Sequence, residues 1–349
     1  MKKYFLFIFL LSILLVGRAQ DLHFSQYLNS PLTLNPASAG VFDGTMRAIA
    51  NYKTQWHQVT TPFKTYAFSF DGGLLKGKWR NGYIGAGITI IKDIAGDSKM
   101  GTTQANLSLS SVLKVSERTH LSAGIQAGLG QRSITVAGLQ WDSQYNGFYY
   151  DSGVASNEQF ASSNFVFQDY SVGALYSYQK GEMYSTANDA TSAQIGIAAF
   201  HLNKPSMSFA GGSDRLYSKY VVHGNLYKGL KNTNISVLPT AVVYLQGKSK
   251  EILAGMLVKY NLQDASKYTG NIKASAVFLG GYCRFGDALV ICSQLELDKC
   301  LLGLSYDVNM SGLTTVSKGL GGLEVSLRYI FNTNTGNISK MGHSKNLNK

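Results

Sequence analysis

Six histidines, three cysteines and a thin scatter of carboxylates are the residues of this 349-residue chain that could do acid–base, nucleophilic or metal chemistry. His23, His57, His120, His201, His223 and His343 lie far apart, and no glutamate stands with them at the helical spacing of a zinc peptidase. Cys283, Cys292 and Cys300 come late in the chain, odd in number and with no histidine at metal-ligand spacing. They read as small hydrophobes in or beside strands, with a Cys283–Cys292 bridge between neighbouring strands as the covalent alternative. Asp142 to Asp151 is acidic at its ends but lacks the one-three-five ligand order of a calcium loop, and reads as a solvated loop. Gly321-Gly322 lacks the strand, glycine loop and helix of a nucleotide site. The expectation is a non-enzymatic protein with no catalytic set, no metal site and no cofactor.

A different polar set stands out by its placement. Asp307, Asn309, Glu324 and Arg328 sit inside a two-residue alternation, not in the turn that interrupts it. Leu302, Leu304, Tyr306, Val308 and Met310 share one face; after a turn, Leu323, Val325, Leu327, Tyr329 and Phe331 share another. A period of two is a strand signal. Charges on the second face of a strand pair fit either a water-facing sandwich surface or the polar lumen of a barrel whose outside meets lipid. Paired across the hairpin, the four could fix register or seat an N-terminal plug, because an Arg–carboxylate pair gains most where water is scarce.

The elements that must position these residues are strands throughout. Alternation begins at Met46 to Trp56 and recurs, through Tyr66–Phe70, Ile84–Ile90, Thr103–Val115, Leu121–Leu129, Tyr170–Tyr178 and Ala193–Ala199. Tyr217–Leu226 and Ile235–Leu245 are weaker, and Pro239 in the second argues for a bulge or a rim position. Ile252–Tyr260 follows, then Ala274, Ala276 and Phe278, then Ala288, Val290 and Cys292, each set read as an apolar face. With the final hairpin the tally is fourteen strands, an even number, with short links at 116–119, 230–234 and 297–299 on one side. The longest connection, 131–168, falls on the other. Both ends of the strand series then lie on the periplasmic side.

Ahead of the strands, Lys2 and Lys3, the apolar run Tyr4–Val16 and Gly17-Arg18-Ala19 read as a cleaved signal peptide at residues 1–19. Residues 20–44, with Pro31, Pro36, Asn29 and Asn35, read as an ordered but irregular leader. Tyr27, Asn29, Asn35 and Pro36 are its candidate contact residues, packed in or beneath a barrel and presenting a surface to periplasmic partners. The strand region is 45–331, and 332–349 is a polar tail. The net charge of +12 is spread without an Arg/Lys block, which leaves nucleic-acid binding without support.

Three features favour a membrane barrel over a soluble sandwich. One strand series passes 250 residues without a linker. Aromatics such as Trp56, Tyr66, Tyr178, Tyr260 and Phe331 stand near segment ends, as interfacial girdles do. Charge is low at 15%, with 37 glycines and 21 tyrosines, and the second faces carry Gln, Asn, Ser and Gly.

The leader His23–Gly40 (HFSQYLNSPLTLNPASAG) resembles the opening of the PorP/SprF family of type IX secretion and gliding-associated outer-membrane proteins. The likeness continues through Arg47, Asn51–Trp56, Ala199–Pro205, Gly281–Arg284, Asp287-Ala288, Gly303–Asn309, Gly322 and Glu324. The resemblance implies an all-β, transmembrane outer-membrane barrel of about fourteen antiparallel strands in Bacteroidota, with an irregular N-terminal periplasmic or plug segment. It further implies work with the type IX machinery, in contact with periplasmic ring or peptidoglycan-linked proteins. Export or surface anchoring of secreted cargo or adhesins with a type-B C-terminal domain would be that work, with outer-membrane lipid around the wall. A general pore for small solutes is the alternative.

Overall fold

The computed structural model describes residues 21–331, apart from 58–60, 77, 80, 137, 159–161, 181–187, 210–211, 213, 265–272 and 313. The signal peptide expected at 1–19, the polar tail expected at 332–349 and His343 lie outside the described residues.

Fourteen strands form one closed antiparallel barrel in which every strand pairs with its sequence neighbours and β1 with β14. They are β1 (Met46–Gln55), β2 (Phe63–Leu74), β3 (Gly82–Ala95), β4 (Met100–Ser116), β5 (Thr119–Ser133), β6 (Asn164–Lys180) and β7 (Thr191–Phe200). The second half comprises β8 (Lys219–Gly229), β9 (Ile235–Gln246), β10 (Ser249–Gln263), β11 (Ser275–Arg284), β12 (Ala288–Leu297), β13 (Cys300–Asn309) and β14 (Leu320–Phe331). Closure runs in continuous register from Met46 opposite Phe331 to Gln55 opposite Gly322. No described helix is long and apolar enough to cross a membrane, a statement that does not bear on crossing by strands.

Burial is inverted relative to a soluble protein. Glu324 and Asp71 are each 1% exposed, whereas Ile125 and Leu129 are each 61% exposed. Large apolar side chains stand outward along the wall, while Arg47, Asp71, Glu251, Asp307 and Glu324 are enclosed. In water such a surface would associate or precipitate; against hydrocarbon it is the stable arrangement. A soluble sandwich does not carry such a surface. Tyr66 faces outward near one rim, and Tyr260 and Phe331 near the other, where girdles belong.

The rim at which β1 starts and β14 ends also carries the tight β4–β5 and β12–β13 turns, whereas the longest connections, 134–163 and 201–218, lie at the opposite rim. Short turns mark the periplasmic side of such barrels, and long loops mark the outer side.

Two sequence expectations change, and the covalent alternative for the cysteines falls away. Ala276, Phe278, Ala288, Val290 and Cys292 point into the lumen, with Leu279, Leu289 and Ile291 outside, so β11 and β12 are apolar on both faces. The reason is an apolar cluster within the lumen, joining Val221, Val242, Leu253, Leu257, Tyr282 and Leu301 to Tyr27 and Leu34 of the leader. Pro239 sits at neither a rim nor a bulge. It lies mid-strand opposite Met256, and the β8–β9 ladder is simply open between Asn225–Thr240 and Lys228–Val237, with no change of register. A residue without an N–H is accommodated by that gap. Finally, Cys283, Cys292 and Cys300 are free: Cys283 lies opposite Leu289 and Cys292 opposite Gly280, on different faces of the wall.

Candidate functional site

The lumen is occupied by the leader. It is irregular because its prolines deny it a ladder. Pro31 opens a single helical turn, Pro31–Leu34, and Pro36 opens a 3-10 turn, Pro36–Ser38, which Asn35 caps by accepting from the Ala37 N–H. A peptide threaded through a closed wall must find partners for its own backbone polar groups. The wall's polar inward residues supply them.

The leader begins at the outer rim and descends. Asp21 takes an ion pair from Lys219, the first residue of β8, and a hydrogen bond from His201 Nε2 (3.2 Å). His201 Nδ1 faces Asp169 Oδ1 at 3.0 Å. Burial alone would lower His201, but Asp169 and Asp21 outweigh it and raise the imidazole to about 9, so it is a cation at neutral pH. Burial would likewise raise Asp21, but Lys219 and His201 hold its carboxyl below the usual range.

One step inward, Glu324 accepts the backbone N–H of Ser25 (2.8 Å) and of Gln26 (2.9 Å), one on each oxygen. Ser25 Oγ donates to Asp307 (2.8 Å) and accepts from Arg284 (2.7 Å), which also reaches Asp307 at 3.1 Å. Lys53, directly across the β1–β14 seam from Glu324, donates to the His23 carbonyl at 3.0 Å. His23 Nε2 lies 3.4 Å from Glu251. Burial and the nearby Lys53 and Arg284 push His23 well below its usual value, and its Nδ1 lies 3.4 Å from the Asp21 carbonyl.

Further down, Asn29 donates to Ser326 (2.9 Å), Tyr27 hydrogen-bonds Thr240, and Asn35 Nδ2 donates to the Ala174 and Ile197 carbonyls at 3.0 and 3.2 Å. Ser122 and Ser110 donate to the carbonyls of Ala37 and Ala39, each at 2.7 Å. Near the periplasmic rim Asp71 accepts the Gly40 N–H and holds Arg47 through two bonds of 2.9 and 2.8 Å.

Of the four hairpin residues singled out in the sequence, two hold the leader. Asn309 instead donates to Ser317 and the Leu320 carbonyl, bracing its own turn. Arg328 lies opposite Leu301 and Ile49, four residues or roughly 13 Å along the strand from Glu324, and its buried Nε has no partner. The guanidinium in the network is Arg284's, from β11 opposite Ala288. Tyr27, Asn29, Asn35 and Pro36 are contact residues, but they are buried inside the lumen and present no surface to a periplasmic partner. Asp21, Asp71, Asp169, Lys219 and Glu251 escaped the sequence reading; their one signal is a charge at an inward position of an alternating strand, or just ahead of the first proline.

The molecule is thus a fourteen-stranded outer-membrane β-barrel whose lumen is filled by its own N-terminal segment. It belongs to the family described as "Type IX secretion system membrane protein PorP/SprF", whose model matches residues 16–329. The segments that carried the resemblance — around Lys53, His201, Arg284, Asp307 and Glu324 — are the ones that converge on the leader. Members of this family are non-catalytic components of the outer membrane associated with the type IX secretion machinery. Among curated proteins nothing matches. Among solved structures the chain is similar to the Ralstonia pickettii toluene transporter TbuX, at 10% identity and TM-score 0.46, covering 87% of this chain and 94% of that one. It is also similar to the CymD monoaromatic hydrocarbon channel, at 11% identity and TM-score 0.45, over 91% and 95%.

Proposed function

We propose that this chain is a plugged scaffold of the type IX machinery that supports export or surface anchoring of cargo proteins with a type-B C-terminal domain. The observation that carries the reading is the filled lumen. A leader held by two buried backbone-to-Glu324 bonds, the Arg284–Asp307 pair and the Asp21 cluster is seated in the lumen that a small-solute pore needs open. Contact with periplasmic ring or peptidoglycan-linked proteins then falls to the periplasmic rim, where the leader enters β1 beside Asp71 and Arg47.

Native pull-down from outer membranes, with partners identified by mass spectrometry, tests this. Secretion components and a large secreted cargo should co-purify, and the purified protein should conduct little in a planar bilayer. Steady porin-like conductance with no secretion partner would overturn the reading in favour of the pore.

A further inference from the structure

At the outer rim Asp21 is held by Lys219 of β8 and Gln246 of β9, the residues after it lean on β10, β11, β13, β14 and β1, and a pocket is left against the opposite wall. The resulting cavity, about 390 Å³, lies against β3 to β8 beneath the 201–218 connection. That volume is within the range of small-ligand sites, roughly 300–1,000 Å³. Its floor is the leader itself at Thr33, with Gln126 bonded to the Leu32 carbonyl. Phe24, Phe167, Phe200 and Tyr217 supply aromatic wall.

Seven acidic or basic side chains face the cavity. Asp21, Lys219, His201 and Asp169 satisfy one another, as described. Asp93 accepts from the Thr65 hydroxyl at 2.6 Å. Arg132 and Arg215 remain. Asp93 and Arg132 occupy one row, Asp93 opposite Thr102 and Thr102 opposite Arg132, two strand spacings or roughly 10 Å apart, and they form no ion pair. Among the described residues Arg132 Nε is buried without a hydrogen-bond partner; its terminal nitrogen meets the Met100 sulfur at 3.4 Å, and its guanidinium carbon lies 5.8 Å from the centre of the Phe209 ring. Arg215 is fixed through its backbone by a bridge to Ser206, and its side chain makes no ion pair among the described residues. A buried guanidinium donor left unpaired is costly, and its best-matched acceptor is a planar carboxylate.

We infer that this outer pocket binds a carboxylate carried on an apolar or aromatic group, with Arg132 and Arg215 as its anion partners and the aromatic wall as the seat of the apolar part. The pocket stands on its own geometry. Two sources share this chemistry, a free small carboxylate or the C-terminus of a peptide, and only the second rests on the cargo reading above.

The test is calorimetric titration of the full-length protein in detergent with 3-phenylpropionate and N-acetyl-alanyl-phenylalanine, each alongside its carboxamide. Both acids, or one of them, should bind, with the matching amide at least tenfold weaker. Arg132→Gln and Arg215→Gln should each cost at least tenfold while heat-modifiability shows an intact barrel. Tighter binding of the peptide acid identifies a chain terminus, tighter binding of phenylpropionate a small molecule. No binding of either acid at millimolar concentration, or amides that bind as well as acids, overturns the inference; the acid–amide comparison on the unaltered protein decides even if a variant does not fold. Loss of cargo co-purification with carboxylate binding retained would sink the cargo reading and leave the pocket standing.

Discussion

Glu324 shows what a single buried carboxylate does here. It has no water to turn to at 1% exposure, and its two oxygens are used by consecutive backbone N–H groups of the leader. Glu324→Lys removes both acceptors and sets a second ammonium across from Lys53. Breaking a buried charged contact of this kind costs about 3–5 kcal/mol. The expected outcome is a barrel that still shows heat-modifiability but a leader cut readily by added protease; unchanged leader protection would refute the role. His201 governs the outer clasp through pH. Its folded value of about 9 lies above its ordinary 6.5, so its contribution is complete below about 6.5 and is lost as pH rises through about 9. Asp21 is shifted the other way, and its contribution is present above the ordinary carboxylate range and lost only in strong acid. A spin label at Leu22→Cys should therefore gain mobility between pH 7 and 10, and His201→Gln should make it mobile throughout. An immobile label at pH 10 would contradict the clasp.

At the scale of elements, the fit between leader and wall depends on where the wall has no side chain. A Cβ at Gly124 would meet the Ala37 backbone nitrogen at 2.5 Å, and one at Gly85 would meet the Ala39 carbonyl at 2.0 Å. The 3-10 turn at Pro36–Ser38 thus lies against bare backbone of β3 and β5, close enough for Ser110 and Ser122 to reach its carbonyls. Gly124→Val should displace this turn without breaking a ladder bond, because valine suits a strand. Increased proteolysis near Ala37–Ala39 with an unaltered barrel is expected, and a wild-type cleavage pattern would show that the turn tolerates the change. Alternation made most strands readable, β13 and β14 above all, since lipid outside and polar lumen inside impose opposite demands on neighbouring residues. It misled at β11 and β12, where the lumen is apolar because Tyr27 and Tyr282 pack there, with ring centroids 5.9 Å apart.

For the whole molecule, the direction of the leader has a topological consequence. It enters β1 at the periplasmic rim, yet Asp21 and His23 lie at the outer one, beside Lys219 and Glu251. Leu22→Cys on intact cells should accordingly react with a membrane-impermeant maleimide added from outside. Labelling only after the outer membrane is broken would reverse this orientation.

The amino-acid sequence by itself determined the all-β class, the count of fourteen strands and the closing role of the last hairpin. Period-two alternation is local, and each strand shows its two environments directly. It also marked Asp307 and Glu324 as misplaced charges, and the leader as ordered yet unable to pair. Only the tertiary structure decided that the leader runs down through the lumen from the outer rim, that Arg284 and not Arg328 completes the network, and that Arg132 and Arg215 line a pocket at the outer end. Those outcomes join residues as much as 300 positions apart, and they depend on barrel register and on which side chains reach across the lumen. No local pattern encodes either.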